Sequence, residues 1–268
     1  MVVKPCWRMG LVLVLITSVL IIGCQQVRLD ENLCPRDTPV PRTTVLLLDT
    51  SDRLSPKHEE ELARIIREVQ APSSASNDLR VAPGEALVVY ELPQDTRSLE
   101  PVFRVCNPGD HPSNWGWKQE LTQGKQIALR QWQKFQEAVL PLFEREDQAA
   151  PKPQSPILET LGVLVARYST SKRVSTDSDR RSTHFILFSD LLQHSETLSH
   201  YGSYAPAEEF RNNAGLRTLY TDLSDADISL YRLERPLPVA RWQSVKHYYW
   251  WQKLIESFGG NVIFLDSI

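Results

Sequence analysis

The sequence lacks the marks by which many enzymes and nucleic-acid binders declare themselves. It has no glycine-rich loop carrying a lysine for phosphate, no Gly-x-Ser-x-Gly elbow and no paired-cysteine metal motif. No long basic run is present, and a formal charge of −3 supplies no general attraction for a polyanion, so nucleic acid is not an expected partner. No internal repeat is evident. The apolar run Leu11–Ile22, broken by Thr17 and Ser18, falls short of the roughly 20 residues that a spanning helix needs. Cysteine is scarce, at four, and Cys6 and Cys24 both lie near the N-terminus.

What the N-terminus does hold is ordered. Lys4 and Arg8 precede Leu11–Ile22, then come Gly23 and Cys24, which is the charged, apolar, small-residue succession of a secretory signal. Ile21-Ile22-Gly23-Cys24 resembles the bacterial lipobox, whose cysteine becomes the lipidated first residue of the mature chain. A thiol is the side chain nucleophilic enough for that thioether link. The expectation is a signal peptide over residues 1–23, palmitate-bearing lipid on Cys24 and attachment to a membrane of the bacterial cell envelope. Gln25 beside the cysteine favours the periplasmic side of the outer membrane over the inner membrane. Losing Lys4 and Arg8 would take the formal charge from −3 to −5. With Cys6 removed and Cys24 modified, a Cys34–Cys106 disulfide is expected in an oxidising compartment, two buried free thiols being the alternative.

Residues 24–42, polar and punctuated by Pro35, Pro39 and Pro41, read as a tether, with the domain over residues 43–268. Thr43 to Leu48 is a continuous β-branched and leucine run, the pattern of a strand buried on both faces. Ser55-Pro56 then starts a helix whose Leu62, Ile65, Ile66 and Val69 form one apolar stripe. Strands are expected over Ala86 to Leu92 and Val102 to Cys106, close enough to pair as a hairpin. Helices follow from about Gly124 to Phe143 and from Ser155-Pro156 to about Tyr168. His184 to Phe188, Asp227 to Arg232 and Asn261 to Leu265 are further strands. A helix bearing Val245, Tyr248, Trp251, Ile255 and Phe258 ends at Gly259-Gly260. Strands alternating with amphipathic helices predict a doubly wound, mainly parallel α/β sheet with helices on both faces.

In such a sheet ligands bind beyond the carboxyl ends of the strands. Asp49 and Asp190 each end a buried strand there, and Ser51 and Ser155 start segments facing the same edge. Two carboxylates and two hydroxyls are hard oxygen donors suited to Mg²⁺ or Mn²⁺, with Ca²⁺ ranking behind. The alternative is that both acids merely bond loop amides or cap helices. The succession TVLLLDTSD, a Ser-Pro helix start, FILFSD, a final helix and GGNVIFL resembles the von Willebrand factor type A (vWA) domain, whose family carries a metal-ion-dependent adhesion site in a three-layer sandwich. The family's Asp-x-Ser-x-Ser motif falls on Asp49, Ser51 and Arg53, its threonine on Ser155, with Thr160 behind it, and its third-loop aspartate on Asp190. Arg53 puts a cation without a lone pair where a hydroxyl belongs, and Leu191 stands where glycine is usual. The resemblance therefore implies either a metal site or a degenerate one in which Arg53 balances Asp49, Asp52 or Asp190.

The function expected is a tethered binding or scaffold module engaging a protein partner of the envelope at the carboxyl edge of the sheet. A metal-dependent envelope hydrolase is the alternative, but Ser51 stands where haloacid-dehalogenase-type phosphatases place their acid/base carboxylate, and a hydroxyl does that proton transfer poorly. His194 and His200 read as surface histidines beside a loop. In the cluster His247-Tyr248-Tyr249-Trp250-Trp251, Tyr249 and Trp250 fall off the core stripe and form a candidate interface pair, with burial against a loop as the alternative.

Overall fold

The computed structural model of the protein describes residues 28–72, 79–114, 124–143, 152–168 and 181–268. The signal segment, Cys24 and nearly all of the serine-rich stretch from Ser169 to Thr183 lie outside them. Six strands form one sheet: β1 (Thr43–Leu48), β2 (Ala86–Glu91), β3 (Phe103–Cys106), β4 (Thr183–Ser189), β5 (Ala226–Arg232) and β6 (Asn261–Ser267). Their order is β3-β2-β1-β4-β5-β6, parallel throughout except for the antiparallel β2–β3 pair. The expected hairpin is thus present, with Ala86 opposite Cys106.

β1 reads as an unbroken apolar run because both of its faces are covered. Val45 and Leu47 enter one apolar cluster with α3 (Ile157–Tyr168) and α4 (Val245–Ser257), whereas Leu46 and Leu48 enter another with α1 (Pro56–Val69) and α2 (Lys125–Glu137). The molecule is therefore three layers, helices on either side of the sheet. Each such leucine or valine taken out of water contributes about 2 kcal/mol, so the central strands tolerate polarity only at their ends.

Local signals set the helix limits. Ser55 Oγ accepts from His58 N at 3.2 Å while His58 Nδ1 accepts from Ser55 N at 3.4 Å, a capping box in which histidine takes the usual glutamate's part. After α4, Gly259 has φ +88°, and a Cβ on Gly260 would fall 2.6 Å from Ile255 Cγ2, so this turn needs both glycines. The helix expected from Gly124 to Phe143 stops instead at Glu137, followed by the 3-10 turn Leu140–Leu142. Pro141 explains the break, since it has no N–H to donate and its ring obstructs the preceding turn.

The chain is packed earlier than the tether reading placed it. Leu33, Cys34 and Arg42 are buried, and Asn32 O accepts from Cys106 N at 2.9 Å. Cys34 and Cys106 are joined, Sγ to Sγ, at 2.12 Å. Polar, proline-punctuated composition did not reveal this, because the disulfide and a few apolar side chains, Leu29, Leu33 and Val40, hold a segment of turns and bends against the domain. Among the described residues no helix is long and apolar enough to cross a membrane.

Candidate functional site

Parallel pairing of β1 with β4 sets Leu48 beside Phe188, and Asp49 N donates to Phe188 O at 2.9 Å. The chain leaves β1 toward β2 on one side and β4 toward β5 on the other, so a crevice opens between their carboxyl ends. Asp49, Ser51, Ser155 and Asp190 are all buried there. Asp49 Oδ1 accepts from Ser51 N at 3.0 Å, and its Oδ2 accepts from Ser155 Oγ at 3.1 Å and Ser189 Oγ at 2.6 Å. Ser155 is fixed ahead of α3 by reciprocal backbone bonds with His194, at 2.8 and 2.9 Å. Thr160 is not part of the cluster, since its hydroxyl donates back to Pro156 O at 2.8 Å.

Asp190 is held separately. Its Oδ1 accepts from Leu192 N at 2.9 Å and its Oδ2 from Arg235 Nε at 3.0 Å. The Arg235 guanidinium is itself buried and lies 3.5 Å from Asp52. Gln243 fixes this arm, accepting from Arg235 N at 2.8 Å and donating to Asp190 O at 3.0 Å and Leu233 O at 2.7 Å. The cation on Asp190 is thus Arg235, whereas Arg53, which the sequence offered as one way to balance Asp49, Asp52 or Asp190, is an exposed residue on the wall of a neighbouring cavity. Burial first, then the Asp49 carboxylate, pushes the Asp190 carboxyl up to about 7 against the pull of Arg235.

As they stand these residues are engaged by the protein's own groups. All the carboxylate oxygens of Asp49 and Asp190 already accept from protein donors, and a guanidinium sits on Asp190. Among the described residues no group of three or more His, Cys, Asp or Glu gathers to hold a metal.

The loop after Asp190 is strained and clamped. Leu191 has φ +60°, a left-handed conformation that a residue with a Cβ adopts at a cost. Leu191 N donates to Ser189 Oγ at 2.9 Å, and Leu191 O accepts from Trp251 Nε1 at 2.8 Å and faces His200 Nδ1 at 3.3 Å. His200 is fully buried, contrary to its reading as a surface histidine, and its Nδ1 lies 2.9 Å from Nε2 of the equally buried His247. Burial, with the other ring as a lesser cause, pushes His200 down to about 3, and burial followed by Arg232 pushes His247 down to about 4. Of the two candidate interface residues Trp250 is buried against a loop, the alternative reading: its Nε1 donates to Ala205 O at 2.8 Å and its ring meets Tyr204 and Phe210. The 3-10 turn Ala207–Asn212 covers a second stripe of α4, so this helix packs over a wider arc than its apolar period indicated. Tyr249 is 55% exposed. Closer to the crevice, Tyr201 is 41% exposed and packs edge-on to Trp242.

Sequence reasoning missed Ser189, Arg235 and Gln243. Ser189 carried a signal, standing beside Asp190 at the end of a buried strand. Arg235 and Gln243 belong to an aperiodic loop and carried none.

No family model and no curated protein sequence matches the chain. Among solved structures, proximal thread matrix protein 1 from the mussel byssus is 12% identical over 82% of this chain and 47% of its own, with a TM-score of 0.32. This chain therefore spans about half the length of that protein. A likeness that weak bears on neither fold nor function.

Proposed function

We propose that the chain is a vWA-like binding module, anchored through Cys24 in the bacterial cell envelope, on the periplasmic side of the outer membrane, that engages a protein partner at the carboxyl edge of its sheet. The observation that carries this reading is the gathering of Asp49, Ser51, Ser155 and Ser189 into one buried hydrogen-bonded cluster between β1 and β4, with Asp190 beside it. The strand order also agrees with that fold, the switch of direction falling between β1 and β4. In place of the Mg²⁺ or Mn²⁺ that the resemblance implied, Arg235 supplies the positive charge at Asp190. The exposed Tyr201, backed by the half-buried Trp242, provides the aromatic surface beside it on which a partner would anchor.

The test is site-specific photocrosslinking in envelope extracts, with benzoylphenylalanine at Tyr201 or at Ser224, an exposed position at the opposite, amino end of the sheet. A discrete adduct from position 201 that survives chelator is expected. Equal labelling from both positions would sink the carboxyl-edge reading, and loss of the adduct in chelator would sink the part given to Arg235. Labelled palmitate should enter the wild type and not Cys24→Ser.

A further inference from the structure

We infer that the cavity beside Asp49 receives a lysine or arginine side chain of the protein partner, together with an apolar neighbour on the same segment. This rests on the binding-module reading and deepens it. The cavity has a volume of about 520 Å³ and opens at the carboxyl ends of β1, β2 and β4, next to the start of α1. That is within the range of sites that bury a compact ligand and is more than one side chain fills.

Its lining divides by chemistry. Leu48, Leu62 and Phe188 are buried floor, and Leu142 and Phe143 form an apolar wall, with Phe143 45% exposed. Asp49, Asp52, Glu59 and Glu91 bring carboxylates, whereas the bases on the lining are Arg53 and Lys152. The Lys152 ammonium is turned into the wall, donating to Thr50 Oγ1 at 2.8 Å and Leu92 O at 2.9 Å. Asp49 likewise faces inward, toward its serines. Among the described lining residues the carboxylates thus outnumber the bases four to two, and the rim, where Asp52, Glu59 and Arg53 stand exposed, lies over an apolar floor.

That pairing selects among ligands. An anion would meet the excess of carboxylates, and a neutral apolar group would take water from them without replacing its hydrogen bonds. A lysine or arginine lays its methylenes along Leu48, Leu62 and Phe188 and leaves its head at the rim. Asp52 also lies 3.5 Å from Arg235, so the cavity and the Asp190 cluster share a residue and form one continuous surface.

The experiment titrates the full chain with acetyl-Leu-Lys-Leu-amide, followed by amide chemical shifts in NMR, against the same peptide with glutamate or norleucine in place of lysine. The lysine peptide is expected to bind roughly tenfold more tightly than the glutamate one and to weaken with added salt. Glu59→Lys should cost it roughly fivefold, and Phe143→Ser should weaken lysine and norleucine peptides alike. Both positions are exposed, and unchanged thermal unfolding shows that the variants fold. Equal affinity for the lysine and glutamate peptides, shifts that map away from the cavity, or no binding at millimolar peptide would overturn the inference. A Tyr201 adduct that persists while the tripeptides fail would overturn the pocket and leave the carboxyl-edge reading standing.

Discussion

Replacing Asp190 with asparagine should make the protein more stable, and more so as pH rises. The carboxyl has an ordinary value of 3.8 and is pushed up to about 7 in the folded state. A group raised in this way lets the folded state hold a proton that the unfolded chain has released, so the stability tied to it is full below 3.8 and is lost as pH rises through 7. The gap is worth about 4 kcal/mol at pH 8 and less than half of that at pH 5. An amide is an imperfect stand-in for the protonated acid: one of its two ends must set N–H against either Arg235 Nε or Leu192 N, costing about 2 kcal/mol. Asp190→Asn should then match wild type near pH 5 and exceed it by about 2 kcal/mol at pH 8, a rise in melting temperature of roughly 5 °C. Urea unfolding at the two pH values measures the difference. A pH-independent difference would refute the assignment of the burden to Asp190. A variant less stable than wild type at pH 8 would show that the carboxylate is better compensated than Arg235 alone allows, as a bound dication would do.

The buried histidines should act in the opposite sense. Both are pushed below 6.5, to about 3 and 4, so their contribution is whole above 6.5 and lost as pH falls toward those values; His247→Gln should flatten acid destabilisation by about 1.4 kcal/mol per pH unit between 6 and 4, read from melting temperature against pH. Reducing the Cys34–Cys106 bond, which closes a loop with a sequence separation of 72, should cost about 4 kcal/mol by chain entropy and release the segment around Leu33, seen as faster amide exchange there. Leu191→Gly relieves about 1 kcal/mol of left-handed strain but empties a fully buried site worth about 3 kcal/mol; denaturant unfolding should show a net loss, and a gain would mean that strain dominates.

Much of the sheet was legible because a strand covered on both faces must be apolar along its middle, as Val45 to Leu48 and Phe185 to Phe188 are. Asp49 and Asp190 stood out as the first charges after those runs. What stayed hidden depends on tertiary closure. Nothing in the sequence near Arg235 says that it crosses to Asp190, because the loop that carries it follows neither a helical nor a strand period. His200 was misplaced for a related reason: the groups that enclose it, Tyr204, His247 and Trp250, come together only when an irregular loop closes over α4. Arg53 attracted notice by standing in a motif, yet position in a motif fixes a backbone site and not the direction of a long side chain.

The junction of Cys34 with β3 also has a mechanical consequence. Tension on the chain ahead of residue 28 reaches the disulfide before it reaches β1, and the covalent bond passes it to Cys106. β3 lies at the border of the sheet, one beyond β2 and two strands away from β1. The load is borne at that border, while the stretch from Pro35 to Arg42 stays slack, so the strand that carries Asp49 keeps its geometry under pull.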